Sequence, residues 1–161
     1  MSLSSNPGVA AAIGTGGSSQ PARDVARGLA VWAWPVVVGY LEDQSGAEAT
    51  VAQVIAAGGA TVAVRADLTD DLDVQRLFTE SIAAFGGVDV IIHMTTDNAD
   101  LLYQHAAQYV RQRGVIVSTC LAESVPPWIA TQLRERGITV GRVPPEAVLA
   151  FLDQWSQQTI D

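Results

Sequence analysis

His93 directly follows the apolar run Val88–Ile92. Ser118, Thr119, Cys120 and Glu123 follow a second apolar run that begins at Val115, and Tyr103 and His105 lie between the two. An imidazole beside a carboxylate or phenol suits non-redox proton transfer, in which one group takes a proton and the other returns it, as in isomerisation, dehydration or cyclisation. His93, Tyr103 and Glu123 are therefore the candidate catalytic residues, if the fold gathers them. The competing assignment for His93 is a neutral ring hydrogen-bonded at a strand end. Cys120 reads more readily as a small buried hydrophobe than as a nucleophile. Two histidines among scattered carboxylates make no metal signature, and a single cysteine excludes an internal disulfide. A second constellation, Thr15-Gly16-Gly17-Ser18, is a turn of small residues ahead of a helix.

These residues need elements to position them. β-branched runs alternate with longer alanine-rich stretches, the pattern of βαβ units around a parallel sheet. Strands are predicted at Val9–Ile13, Val36–Val38, Thr61–Arg65, Val88–Ile92, Val115–Ser118 and Ile138–Gly141. Helices are predicted from Pro21 to Ala30, from Ala47 to Ala57 ahead of Gly58-Gly59, from Asp70 to Phe85, from an Asn98 or Asp100 cap through Val110, from Pro127 to Arg136, and from Glu146 to Gln157. The third helix is the clearest. Acids crowd its first turn, as the macrodipole favours, and Val74, Leu77, Phe78, Ile82 and Phe85 recur at helical spacing. The expectation is one α/β domain over residues 1–161: a doubly wound, Rossmann-like parallel sheet of about six strands with helices on both faces, preceded by a flexible segment at residues 1–8. An open sheet of this kind places its ligand site at the carboxyl ends of the strands, where His93 lies.

Composition narrows the function. The 161 residues (16.9 kDa) are 48% hydrophobic and 16% charged, enough apolar content for one sizeable core. A net charge of −8 argues against a nucleic-acid footprint. No apolar run approaches the ~20 residues that span a bilayer, and no secretory leader is apparent, so a cytoplasmic protein is expected. All nine basic residues are arginine. The absence of lysine excludes a Schiff base, a P-loop lysine and any lysine acid–base role in this chain.

The series Gly14-Thr15-Gly16, Val36-Val37-Val38, Ala57-Gly58-Gly59, Val64 to Asp70, Phe85-Gly86-Gly87-Val88-Asp89-Val90, Gly114 to Val117 and Arg136 to Val140 resembles the short-chain dehydrogenase/reductases in order and register. The resemblance implies a dinucleotide fold, with Thr15, Gly16, Gly17 and Ser18 at the cofactor turn and Asp67 at the position that contacts adenine. The departures matter as much. The family's turn is Thr-Gly-x-x-x-Gly-x-Gly, and here Gln20 replaces the middle glycine, Pro21 removes an N–H, and Ala22 replaces the last glycine. Strand two ends in Gly39-Tyr40, with neither an acid for a ribose 2′-hydroxyl nor an arginine for a 2′-phosphate. Asn-Asn-Ala-Gly becomes His93-Met94-Thr95-Thr96, and the catalytic serine position falls on Leu121. The family's Tyr-x-x-x-Lys pair has no counterpart between Cys120 and Pro127, and a further helix with its asparagine is missing between Thr96 and Ala99.

In the family, a tyrosine assisted by lysine protonates the developing alkoxide, and a phenol without that help titrates near ~10. The resemblance therefore implies a member without dehydrogenase activity and without a bound cofactor. It is expected to act as a homodimer, or as a heteromer with another family member, in a biosynthetic pathway. The tryptophans and the apolar surface expected where segments are missing would supply contacts. Two alternatives stand beside this: a cofactor-independent enzyme acting on a small molecule through His93, and a residual NAD(P)-binding module.

Overall fold

The computed structural model describes residues 12–16, 19–95, 99–120 and 125–160. Among the described residues six parallel strands form one sheet in the order β3-β2-β1-β4-β5-β6: β1 (Ala12–Thr15), β2 (Val36–Tyr40), β3 (Thr61–Arg65), β4 (Val88–His93), β5 (Val110–Ser118) and β6 (Thr139–Arg142). The strand order reverses between β1 and β4, which creates the crevice that such sheets use for ligands. Val36, Val37 and Val38 on β2, and Val90, Ile91 and Ile92 on β4, are buried on both faces, so these strands read as continuous apolar runs.

Helices α1 (Gln20–Val31), α2 (Gln44–Ala56) and α6 (Val148–Ile160) cover one face, and α3 (Asp71–Phe85), α4 (Asp100–Tyr109) and α5 (Pro127–Glu135) cover the other. Alternation along β4 and β5 serves both faces. Val90, Ile92, Val115 and Val117 join Leu29, Trp34, Val148, Leu152 and Trp155, whereas Ile91 and Ile116 join Leu77, Phe78, Leu102, Tyr103 and Ile129. The α3 start follows its sequence signals: Asp70 is the cap, its carboxylate accepting from the N–H groups of Leu72 and Asp73.

Several boundaries differ from expectation. The second helix begins three residues early because the Asp43 carboxylate accepts from Gly46 N–H and caps it. Asp100 is the first residue of α4 rather than its cap. Val110 belongs to β5, where it pairs with Val88, and Arg113 follows at a positive φ of 68° before the pairing resumes at Val115. A short 3-10 turn, Pro145–Ala147, precedes α6, since consecutive prolines delay the α-helical pattern. Val9 to Ala11, Asn98 and the N-terminal segment lie outside the described residues.

Candidate functional site

The carboxyl edge of β1, β4 and β5 gathers several of the candidate residues. Register places Thr15 beside His93 and His93 beside Ser118. The Thr119 N–H donates to the His93 carbonyl (3.0 Å), and the Cys120 N–H donates to Ser118 Oγ (3.1 Å). Strand alternation turns His93 and Ser118 toward the α4 side, the face that also holds Tyr103. His93 is 0% exposed and Tyr103 is 1% exposed. A general base must come within hydrogen-bond reach of the proton it takes, and both rings lie wholly inside the protein. Glu123, the third of the candidate catalytic residues, lies outside the described residues. His105 is committed elsewhere: its Nε2 lies 2.8 Å from Asp71 Oδ1, and its ring stacks with Phe78 and Tyr109, joining α3 to α4. Sequence spacing gave no sign of that link, since its partners are 34 residues apart.

On the other side of the crevice, Gly16 takes φ +77°, and a Cβ there would lie 3.2 Å from the backbone of Met94. Only glycine suits that left-handed turn and close approach. Gly17 and Ser18 lie outside the described residues. Ser19 closes the start of α1. Its N–H and hydroxyl both donate to the Gly16 carbonyl (3.4 and 3.2 Å), and its Oγ accepts from Ala22 N–H (3.3 Å). Arg23 N–H reaches the Ser19 carbonyl, and Pro21 carries no N–H. Of the first-turn amides, the Gln20 N–H is the one left without a protein acceptor among the described residues.

An open cavity of about 340 Å³ lies against this helix end. Gln20, Pro21, Asp24 and Val25 of α1 form one wall, and Pro145, Glu146 and Leu149 form the other. The Gln20 amide bridges its neighbours: its Oε1 accepts from Arg23 Nη1 (3.2 Å) and its Nε2 donates to Asp24 Oδ1 (3.1 Å). Neither His93 nor Tyr103 lines this space. Asp24 and Glu146 were not singled out from sequence. The paired prolines after β6 were the available signal, because they hold Glu146 at the carboxyl edge.

Asp67 builds a local turn. Its Oδ1 accepts from the Thr69 hydroxyl (2.7 Å) and the Thr69 N–H (2.9 Å), while its own N–H donates to Asp73 (3.0 Å). These two bonds from Thr69, the hydroxyl's first, together with nearby Arg65, hold the Asp67 carboxyl below its ordinary value. A depressed carboxylate stabilises the fold above its unfolded pKa, and that contribution is lost as pH falls through the folded value. Asp67→Asn is therefore expected to flatten the acid limb of a stability–pH curve below pH ~4, read by chemical denaturation at stepped pH. An unchanged limb would contradict this.

A family model described as Enoyl-(Acyl carrier protein) reductase matches residues 21–113, more than half of the chain. A 3-oxoacyl-[acyl-carrier-protein] reductase of Synechocystis is 32% identical over 91 residues, 56% of this chain and 37% of the relative. A 3β-hydroxysteroid dehydrogenase of Eggerthella lenta is 37% identical over 79 residues, 49% of this chain and 30% of the relative. The matched stretch thus spans about a third of the length of these curated relatives. Among solved structures, a short chain dehydrogenase from Burkholderia cenocepacia in complex with NADP superposes with a TM-score of 0.67 at 24% identity, over 83% of this chain and 72% of that one. That likeness speaks for the fold alone, and no helix among the described residues is long and apolar enough to cross a membrane. The glycine turn at Gly16, the reversed strand order and the matched segment lead to one assignment: the chain belongs to the short-chain dehydrogenase/reductase family.

Proposed function

We propose that this chain is a family member that does not reduce carbonyl substrates and that acts in association with a second protein, either another copy of itself or another member of the family. The observation that carries this reading is the chain's lysine-free sequence, combined with the direct passage from Cys120 to Pro127, where the family's tyrosine–lysine pair would stand. Hydride transfer needs a proton donor at the developing alkoxide. The imidazole and phenol nearest the crevice are buried, which supports the same conclusion. The names of the relatives favour a second reading, an NADP-dependent reductase acting on a 3-oxoacyl or steroid ketone. A cofactor-independent proton transfer through His93 has no such support, because the ring is enclosed.

The outward faces of α4 and α5 carry Gln104, Gln108, Thr131, Gln132 and Glu135, with Trp128 standing 55% exposed at the start of α5. Apolar surface was expected along both helices. Among the described residues it is concentrated at Trp128, which makes that ring the anchor of the contact. Two measurements test the proposal. Purified protein with NADPH and a 3-oxoacyl thioester should oxidise no cofactor above background; turnover would establish the second reading instead. Sedimentation equilibrium should give twice the 16.9 kDa chain mass, or a stable complex with a family member encoded nearby. Trp128→Ala should weaken that association by about tenfold or more, the loss typical of a buried aromatic anchor. A monomer that captures no family partner would remove the association half of the proposal.

A further inference from the structure

We infer that the end of α1 in this chain is closed to the diphosphate of a nicotinamide nucleotide, and that the adjoining cavity selects against polyanions. The inference rests on the non-redox reading and extends it to binding. A dinucleotide fold holds its diphosphate with free backbone N–H groups at this helix start and with glycines that let the backbone come close. Here three features oppose that. The Ser19 hydroxyl occupies the Ala22 N–H, the Ser19 N–H is turned to Gly16, and Pro21 has none, so among the described residues of this helix start the Gln20 N–H is the one donor left for a ligand. Gln20 places a side chain where a phosphate would need backbone, and its amide is fixed between Arg23 and Asp24. The polar wall groups of the cavity besides Gln20 are the carboxylates of Asp24 and Glu146, one on each side. Arg23 directs its guanidinium onto the Gln20 amide. Two phosphates brought there would meet like charge and few donors.

Thermal melts with NADPH, and separately with inorganic pyrophosphate, test this on the full chain. At about 1 mM of either ligand the wild-type melting temperature should not move, because stabilisation vanishes when the dissociation constant far exceeds ligand concentration. Two variants should gain binding. Asp24→Asn with Glu146→Gln removes the repulsion on exposed side chains; Gln20→Gly with Pro21→Ala reopens the backbone. Each should lower the dissociation constant for NADPH by about tenfold or more, with circular dichroism confirming an unchanged fold. A wild-type shift with either ligand would overturn the inference, as would no gain in either variant. Wild-type binding without turnover would sink this inference and leave the non-redox proposal standing. Turnover would sink both.

Discussion

Trp34→Ala is expected to lower the free energy of unfolding by about 3–5 kcal/mol, the range for large-to-small changes in well-packed cores. Trp34 is 0% exposed and meets Trp32 edge-on at 5.1 Å and Trp155 at 6.3 Å. It sits in the turn between α1 and β2, with its N–H on the Leu29 carbonyl and Ala33 before it at φ +62°. Three elements converge on the ring, so the surrounding structure has little freedom to collapse into the space left behind. Its indole Nε1 has no hydrogen-bond partner among the described residues, and Trp34→Phe therefore gives up volume without breaking a bond. The phenylalanine variant should lose less than half as much. Urea titration of both variants measures this, and equal losses would show that packing is not the cause. The consequence reaches the crevice, because Trp155 belongs to α6 and Trp34 to the α1 connection, and those helices carry the two walls of the cavity.

Gly114→Ala should cost about 3 kcal/mol, the upper end of ordinary overpacking. A Cβ at Gly114 would lie 2.6 Å from the Asp89 carbonyl oxygen, 2.5 Å from Val110 Cγ1 and 3.0 Å from the Arg111 carbonyl oxygen. Two of these neighbours are backbone and cannot swing aside. The position follows Arg113, at the point where pairing between β4 and β5 shifts register and then resumes at Val90 and Val115. Gly58→Ala is the control. Its φ is +86° but nothing lies within 4 Å, so it should cost only its left-handed backbone, about 1 kcal/mol. Thermal melts compare the two, and hydrogen exchange at Val115–Val117 should show local opening in Gly114→Ala alone. Comparable losses in both variants would mean that steric conflict at β5 is not decisive.

The sheet was legible in the sequence because its signals are local and redundant. Doubly buried β2 and β4 appear as unbroken valine and isoleucine runs, and α3 announces itself through Asp70, its acidic first turn and a helical apolar period. The errors fall where local rules compete. Asp43 caps α2 although the alanine-rich pattern starts later, and Arg113 holds a backbone angle that nothing in an arginine signals. The candidate site was less legible. Its place just past the apolar run of the fourth strand put His93 at the correct edge, but a strand's end does not reveal that a ring there will be fully enclosed. The unusual character of Gln20 and Pro21 was visible in the glycine turn, because the defect is covalent. The opposing wall was not, since Glu146 reaches α1 only through the tertiary path of β6 and the 3-10 turn.

That cavity has a bearing on how the molecule is made. One wall belongs to residues 20–25 and the other to residues 145–149, close to the two ends of the described chain. A nascent polypeptide leaving the ribosome completes the β1–β2–β3 half long before the second wall has been translated, since domains tend to form from the amino terminus as synthesis proceeds. The pocket thus has no partial version: it comes into being with the docking of α6, a sequence-distant contact, and loosening that helix would erase it before the sheet itself is disturbed.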